Sequence, residues 1–447
     1  MSGHPSATAL LAEPPLRAII RLAAPTTAVM LVAALSNILH TYFVSRLGDD
    51  AIAAVSLVFP IIMILITVVA GGLGTGIASG IARALGAGRG ADARAIAEHA
   101  IVITVGLAIG GTVVAELGGR ALFRLMGGDG AVLEQATLFG RVLFGGLLVS
   151  FTVGTFDSIL RGAGNVRVPA MCSTLSLILQ IAFTPLFMFT LGLGLIGAPL
   201  ATLAGQAIGL VPRSRFIFGV NSPVRPRLIP GQLHPRHFAE ILRVGVPASL
   251  SAALNYIALL VLTGTVARFG DTYLAAYGLG SRLDFLLFSI GFGVAAAGLT
   301  LVGMAVGAGR PELVHRYVRL TALVAIAVVA LPALAVTLHP AIWIGLFSDA
   351  PAIHAIGADY FYVVGPTYFF VVVSMVIASS FQALARATVP LVVMVARVFV
   401  VLGGALLAVN AFGASAHAIF VLIAAANVVS CVVLALLFRR TLAALGK

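Results

Sequence analysis

Charge is the first thing in short supply: Asp, Glu, Lys and Arg make up 9% of the 447 residues, against roughly 25% in an ordinary globular chain. With 60% of residues hydrophobic and a mean hydropathy of +1.12, that scarcity excludes a water-soluble fold, because no aqueous core hides so much apolar surface. Acids are rarer than bases, and none occurs between Asp157 and Glu240 or after Asp359. Both cysteines, Cys172 and Cys431, fall in apolar runs, so neither a disulfide framework nor metal-ligand spacing can be built. Strand-like alternation is missing, which excludes an outer-membrane barrel. The first fifteen residues lack a basic segment followed by an apolar one and a cleavage site, so they read as a short tail and not a signal peptide. No HExxH or GxSxG occurs, and the glycines of Gly86 to Gly90 lack the flanking strand and Lys-Ser/Thr of a phosphate loop. Neither an enzyme nor an ATP-driven pump is expected, and no cofactor or metal.

What is present is a series of about twelve apolar runs, each long enough for the ~20 residues that cross a bilayer as a helix. Cutting at charged and Gly/Pro-rich punctuation places them near residues 17–45, 52–82, 98–116, 137–160, 168–191, 196–217, 239–267, 274–306, 317–338, 355–380, 388–411 and 415–437. The formal charge of +12 is not a nucleic-acid footprint, because its placement alternates. Arg17 and Arg21, Arg83 to Arg94, Arg161 and Arg167, Arg213 to Arg243, Arg310 to Arg319, Arg386 and Arg439 to Lys447 occupy every second loop. The loops between hold Arg46, Arg120, Arg124 and Arg268. Basic loops stay on the cytoplasmic side during insertion, so both termini are expected in the cytoplasm of a plasma or inner membrane protein. Trp343, the single tryptophan, lies in an apolar loop with Pro340, Phe347 and Pro351 and reads as an interfacial anchor.

The chain repeats itself. Pro25 and Pro247 stand 222 residues apart, and Arg46, Gly48 and Asp49 keep that offset to Arg268, Gly270 and Asp271. The string GAGR recurs at Gly86 to Arg89 and Gly307 to Arg310, and Pro169 matches Pro390, both at an offset of 221; Gln206 matches Asn427. One register held across six runs implies two six-helix halves of like orientation. The expected organisation is a tail over 1–15, an N-lobe over 16–217, a Pro- and Arg-rich cytoplasmic linker over 218–237, and a C-lobe over 238–447. Parallel repeats of this kind enclose a central cavity and work by alternating access.

The proline opening runs one and seven, the Gly-Asp-x-x-x-Ala-Ala turn after each, the basic Gly-x-Gly-Arg loop and the Leu-Arg-Gly-x-Gly after run four together resemble the multidrug and toxic compound extrusion (MATE) transporters. The similarity runs from Leu16 to Arg440. It implies an all-α polytopic membrane protein with two lobes in a V, exporting amphipathic organic molecules against a coupling cation held by carboxylates inside a lobe. At the positions where the family carries those carboxylates this sequence departs from it. The NxxD of the first span is here Asn37, Ile38, Leu39, His40; the Asn and Asp of the fifth are Gln180 and Thr184, ahead of Pro185. Asn255 stands where some branches carry a Glu on span seven, and Val371 where others carry an acid on span ten.

Few proton carriers remain. His40 titrates within reach of physiological pH; six residues before Arg46, it lies about 9 Å inside the span by helix rise, with Asn37 one turn away to hydrogen-bond the ring. The competing reading of His40 is a semipolar residue satisfied near the outer interface. Asp157 is four residues before Arg161, as a structural ion pair or an inner gate. Asp284 and Arg282, two apart, face different ways and are expected to line a cavity or to brace other helices. Arg397 lies about 10 Å inside its run, snorkelling to the cytoplasm or facing the cavity, where it would favour anionic or zwitterionic substrates. Gln180, Thr184, Asn255, Tyr256 and Tyr277 complete the candidate substrate cavity, with helix packing as the competing reading for the aromatics. Protons are expected over sodium, since a hard cation wants several oxygen ligands including carboxylate. The expected partners are a small organic substrate and the lipid bilayer, with no nucleic acid, acting as a monomer. Two other readings stay open: a flippase for a lipid-linked precursor, and a membrane scaffold that has lost its coupling residues.

Overall fold

The computed structural model describes residues 7–220, 222–227, 233–412 and 415–445; Lys447 and the middle of the linker lie outside them. Among the described residues every regular element is a helix. Eleven are long and apolar enough to cross a membrane, and a bent pair supplies the twelfth. The spans are Pro15–Ser45, Asp49–Gly86, Gly90–Leu125, the pair Gly130–Gly145 and Leu147–Gly162, Arg167–Thr190, Gly194–Phe218, Pro235–Ala267, Asp271–Gly307, Pro311–Leu338, Pro351–Ala383, Thr388–Val409 and Ala416–Ala444. Several begin up to eight residues earlier than hydropathy predicts, because a helix carries its polar first turn beyond the apolar stretch.

The chain forms two compact units. Of the described residues, one comprises 7–12 and those within 28–249, the other 13–27 and those within 250–445. The division runs through spans one and seven, not through the 218–237 linker.

The repeat is written into the backbone. Spans two, four, eight and ten close with the same hydrogen bond. Arg89 N–H donates to Ala84 O at 2.9 Å, Asn165 to Leu160 at 2.9 Å, Arg310 to Ala305 at 3.0 Å and Arg386 to Phe381 at 2.8 Å. Each follows a residue at positive φ: Gly88 at 72°, Gly164 at 79°, Gly309 at 65° and Ala385 at 57°. This six-to-one closure, with a left-handed residue before its donor, satisfies the orphan carbonyls of a helix end. Gly48 and Gly270 form a second matched pair, at φ 104°, ψ 176° and φ 111°, ψ 168°, a region open essentially to glycine alone. Asp49 and Asp271 then begin the next helices, where the helix dipole favours an acid.

Three irregularities shape the spans. Span four bends by 46° between Gly145 and Leu147, and the Phe144 carbonyl takes a hydrogen bond from Thr112 Oγ1 at 2.7 Å. Span two passes through a π-helical turn, Thr67–Leu73, where Ser249 Oγ reaches the Val68 carbonyl at 2.8 Å. Span ten is interrupted by a tight turn, Gly365–Thr367, around Pro366. Carbonyls freed at such breaks need partners in a membrane, and side-chain hydroxyls supply them here.

Candidate functional site

The second unit contains a cavity of about 50 Å³ lined by Asp284, Leu287, Phe288, Val364, Tyr368, Val371, Val372, Arg397, Ile423 and Asn427. One water needs ~10–15 Å³ of such space, so the cavity has room for a few waters and no organic molecule. Asp284, on span eight, is its only acid. The break at Gly365–Thr367 sets two tyrosines of span ten to grip that acid from either side. Tyr360 Oη donates to Oδ2 at 2.7 Å and Tyr368 Oη to Oδ1 at 2.6 Å. Both rings are buried, at 1% and 4% exposure. Tyr277, two turns before Asp284, packs edge-on against Tyr360 with centroids 5.8 Å apart.

Arg397 closes the cavity from span eleven, forming no direct ion pair among the described residues. Its Nη2 donates to Asn427 Oδ1 at 2.7 Å, and Asn427 Nδ2 donates to Thr367 Oγ1 at 3.0 Å. Spans eight, ten, eleven and twelve thus contribute to one polar cluster inside an apolar bundle. Such groups are expensive in a membrane interior and mark functional sites by default.

The first unit holds a different constellation. Asp157 meets Arg213 of span six: Nε to Oδ1 at 2.7 Å and Nη2 to Oδ2 at 3.3 Å. The expected partner, Arg161, hydrogen-bonds Ser158 Oγ at 3.0 Å. Arg161 still feels the Asp157 charge from one turn away, but it is Arg213, wholly buried, that brings its planar fork onto the carboxylate, as bidentate geometry favours. Thr184 is buried and its hydroxyl is spent on the Gln180 carbonyl at 2.7 Å; the Gln180 side chain is half-buried.

Other expectations disperse. Asn37 donates to the Ala33 carbonyl at 3.2 Å, not to His40, which is half-buried and has no hydrogen-bond partner among the described residues. Asn255 is exposed and Tyr256 half-buried, both on span seven and outside the cavity wall. Arg282 and Asp284 face apart as their spacing requires: Arg282 stacks over the Phe347 ring at 5.8 Å. Trp343, expected as an interfacial anchor, donates its Nε1 to the Leu279 carbonyl at 2.9 Å. Of the candidates, Asp284 and Arg397 share the cavity wall and Tyr277 packs behind it. Tyr360, Tyr368, Thr367 and Asn427 escaped the sequence reading as site residues. Their signal was polar side chains flanking a Gly-Pro break and in mid-span, which hydropathy averages away.

The MatE family model matches twice, over residues 25–186 and 247–409, one match for each half of the repeat. The chain belongs to the MatE family. The FAD transporter of Shewanella oneidensis is 25% identical over 309 residues, 68% of each chain. Bacillus subtilis YpnP, named a probable multidrug resistance protein, is 24% identical over 219 residues, 48% of each. A solved multidrug resistance MATE transporter of the MOP superfamily, in an outward-facing conformation, superposes with a TM-score of 0.92 at 26% identity over the whole of both chains. MatE proteins are transporters, and this one is a multi-pass helical membrane protein.

Proposed function

We propose that this MatE protein is a secondary antiporter that exports amphipathic organic molecules by alternating access while protons move inward, and that Asp284 carries the proton. The single observation behind this is the Asp284 carboxyl group, gripped by two tyrosine hydroxyls beside a water-sized cavity in the second unit. A carboxyl facing a few waters can exchange a proton with them, and the small cavity keeps the bulky substrate out of the proton's site. The relatives named as an FAD transporter and a probable multidrug resistance protein support a small organic substrate. A plasma or inner membrane location with cytoplasmic termini follows from the alternation of basic loops. The chain works as a monomer in the bilayer and catalyses no covalent chemistry.

The test is transport in proteoliposomes under an imposed pH gradient, read with a panel of fluorescent amphipathic dyes and flavins. Wild type accumulates substrate against its gradient; Asp284→Asn, isosteric and unable to carry a proton, binds substrate without accumulating it. Undiminished proton-driven accumulation by Asp284→Asn overturns the assignment, and the same measurement on His40→Ala then decides whether the imidazole has the role.

A further inference from the structure

Among the described residues Arg397, half-buried in an apolar bundle, makes no direct ion pair with a carboxylate, and Asp284, across the same small cavity, makes none with a cation, although each feels the other's charge. Neither condition is cheap: a buried charge needs a counter-charge or a full set of hydrogen bonds. Each group instead leans on neutral dipoles, Asp284 on Tyr360 and Tyr368, and Arg397 on Asn427, itself braced by Thr367. The cavity between them has room for a few waters, and its described wall carries no other ionisable side chain except Tyr368. Around Asp284 the titratable and charged groups are Tyr277 from its own span, Tyr360 and Tyr368 from span ten and Arg397 from span eleven. Spans nine and twelve contribute none to the wall among the described residues.

We propose that Arg397 is an internal competitor for the coupling proton: it rests on Asn427 while Asp284 is protonated, and swings across the cavity to Asp284 once the proton has left. This rests on the reading of Asp284 as the proton carrier and adds how the site is discharged. When the carboxyl O–H bond breaks and its proton passes to cavity water, the carboxylate left behind is neutralised by a guanidinium already present. No external cation has to enter. A returning proton must displace Arg397, which falls back onto the Asn427 amide oxygen. The Arg397–Asn427–Thr367 chain ties spans eleven, twelve and ten together, so each exchange of partner changes what holds these helices to one another. Asn427 is thereby a positioning residue: it acts on Asp284 only by keeping Arg397 away.

Dicyclohexylcarbodiimide, which modifies the protonated form of a carboxyl in an apolar site, provides the test. The labelled fraction at Asp284 in purified full-length protein is followed against pH by peptide mass spectrometry. Removing the competitor in Arg397→Gln moves the fall in labelling to higher pH by about one unit, the effect of losing one nearby opposite charge. Freeing the competitor in Asn427→Ala moves it to lower pH, and Arg397→Lys, which keeps a cation, stays closer to wild type than Arg397→Gln does. Opposite shifts are the signature, because loosened packing would move both variants the same way. Unchanged midpoints, or shifts of one sign, overturn the proposal. If Arg397→Gln does not fold, Asn427→Ala decides alone, a midpoint equal to or above wild type refuting the competition. Failure of the underlying reading looks different: Asp284→Asn would keep proton-driven transport whatever the labelling shows.

Discussion

Arg213 holds Asp157 with two nitrogens, Nε on Oδ1 at 2.7 Å and Nη2 on Oδ2 at 3.3 Å, and is itself wholly buried. Its Nη1 donates to the Gly209 carbonyl at 2.9 Å and its Nη2 also reaches Ser173 Oγ at 2.6 Å. The guanidinium therefore joins spans four, five and six through one charge, and the acid-free stretch after Asp157 leaves it no substitute carboxylate nearby in sequence.

Truncating that arginine should be among the costliest single changes in the first unit. Arg213→Ala strands a largely buried carboxylate, and breaking a buried pair from one side costs about 3–5 kcal/mol. Replacing both partners with apolar residues in Asp157→Leu/Arg213→Met removes the stranded charge and recovers much of the loss. Thermal unfolding of the two variants in detergent checks this. A double variant less stable than Arg213→Ala would show that the pair does more than satisfy itself.

A second prediction separates glycines by what surrounds them. A Cβ on Gly76 would lie 2.4 Å from the Ile241 carbonyl oxygen and 2.9 Å from Gly245 N, both backbone atoms, whereas one on Gly110 meets nothing within 4 Å. Gly76→Ala should force spans two and seven apart within the first unit and cost about 1–3 kcal/mol, as overpacking does. Gly110→Ala should be neutral or stabilising by up to about 1 kcal/mol through helix propensity. The contrast is read as folded yield and melting temperature; equal behaviour of the two would contradict the close approach.

These two cases mark the limit of what the sequence discloses. The span count and the repeat were legible, because apolar run length and turn punctuation are local signals and the offset of 221–222 samples them many times. The Asp157–Arg213 pair was not, since its partners lie 56 residues apart and spacing along one helix offered Arg161 instead. Nor was the cradle of Asp284 visible, for Tyr360, Tyr368, Arg397 and Asn427 converge from three other spans. The bend at Gly145–Leu147 escaped too, as hydropathy runs unbroken through it. Local periodicity fixes which face a residue occupies on its own helix; which neighbours meet that face is decided by packing.

The repeat makes a third prediction. Ala385 occupies, at φ 57°, the left-handed position that Gly164 takes at 79° in the other half. A left-handed residue with a Cβ is strained by roughly 1–2 kcal/mol, and glycine is not. Ala385→Gly should therefore stabilise the protein by about 1 kcal/mol or less, after the entropy glycine loses on folding, and Gly164→Ala should destabilise it by about 1 kcal/mol. Opposite shifts in melting temperature are expected. Destabilisation by Ala385→Gly would mean that the Ala385 methyl makes a contact worth more than its strain.

The last prediction concerns the driving ion. Sodium would need several oxygen ligands at once, but both Asp284 oxygens already accept tyrosine hydroxyls and the Arg397 guanidinium lines the facing wall. A metal cation there would be repelled by the guanidinium and find the Asp284 oxygens already engaged, whereas a proton merges with the carboxyl and leaves no separate charge for Arg397 to repel. An imposed sodium gradient at fixed pH should therefore drive no substrate accumulation in proteoliposomes, while a pH gradient in sodium-free buffer should. Arg397→Gln removes the repelling charge, so any sodium response should emerge in that variant before wild type. Sodium-driven uptake by wild type at constant pH would refute the ion assignment outright, and its persistence in Asp284→Asn would move the cation site away from this cavity altogether.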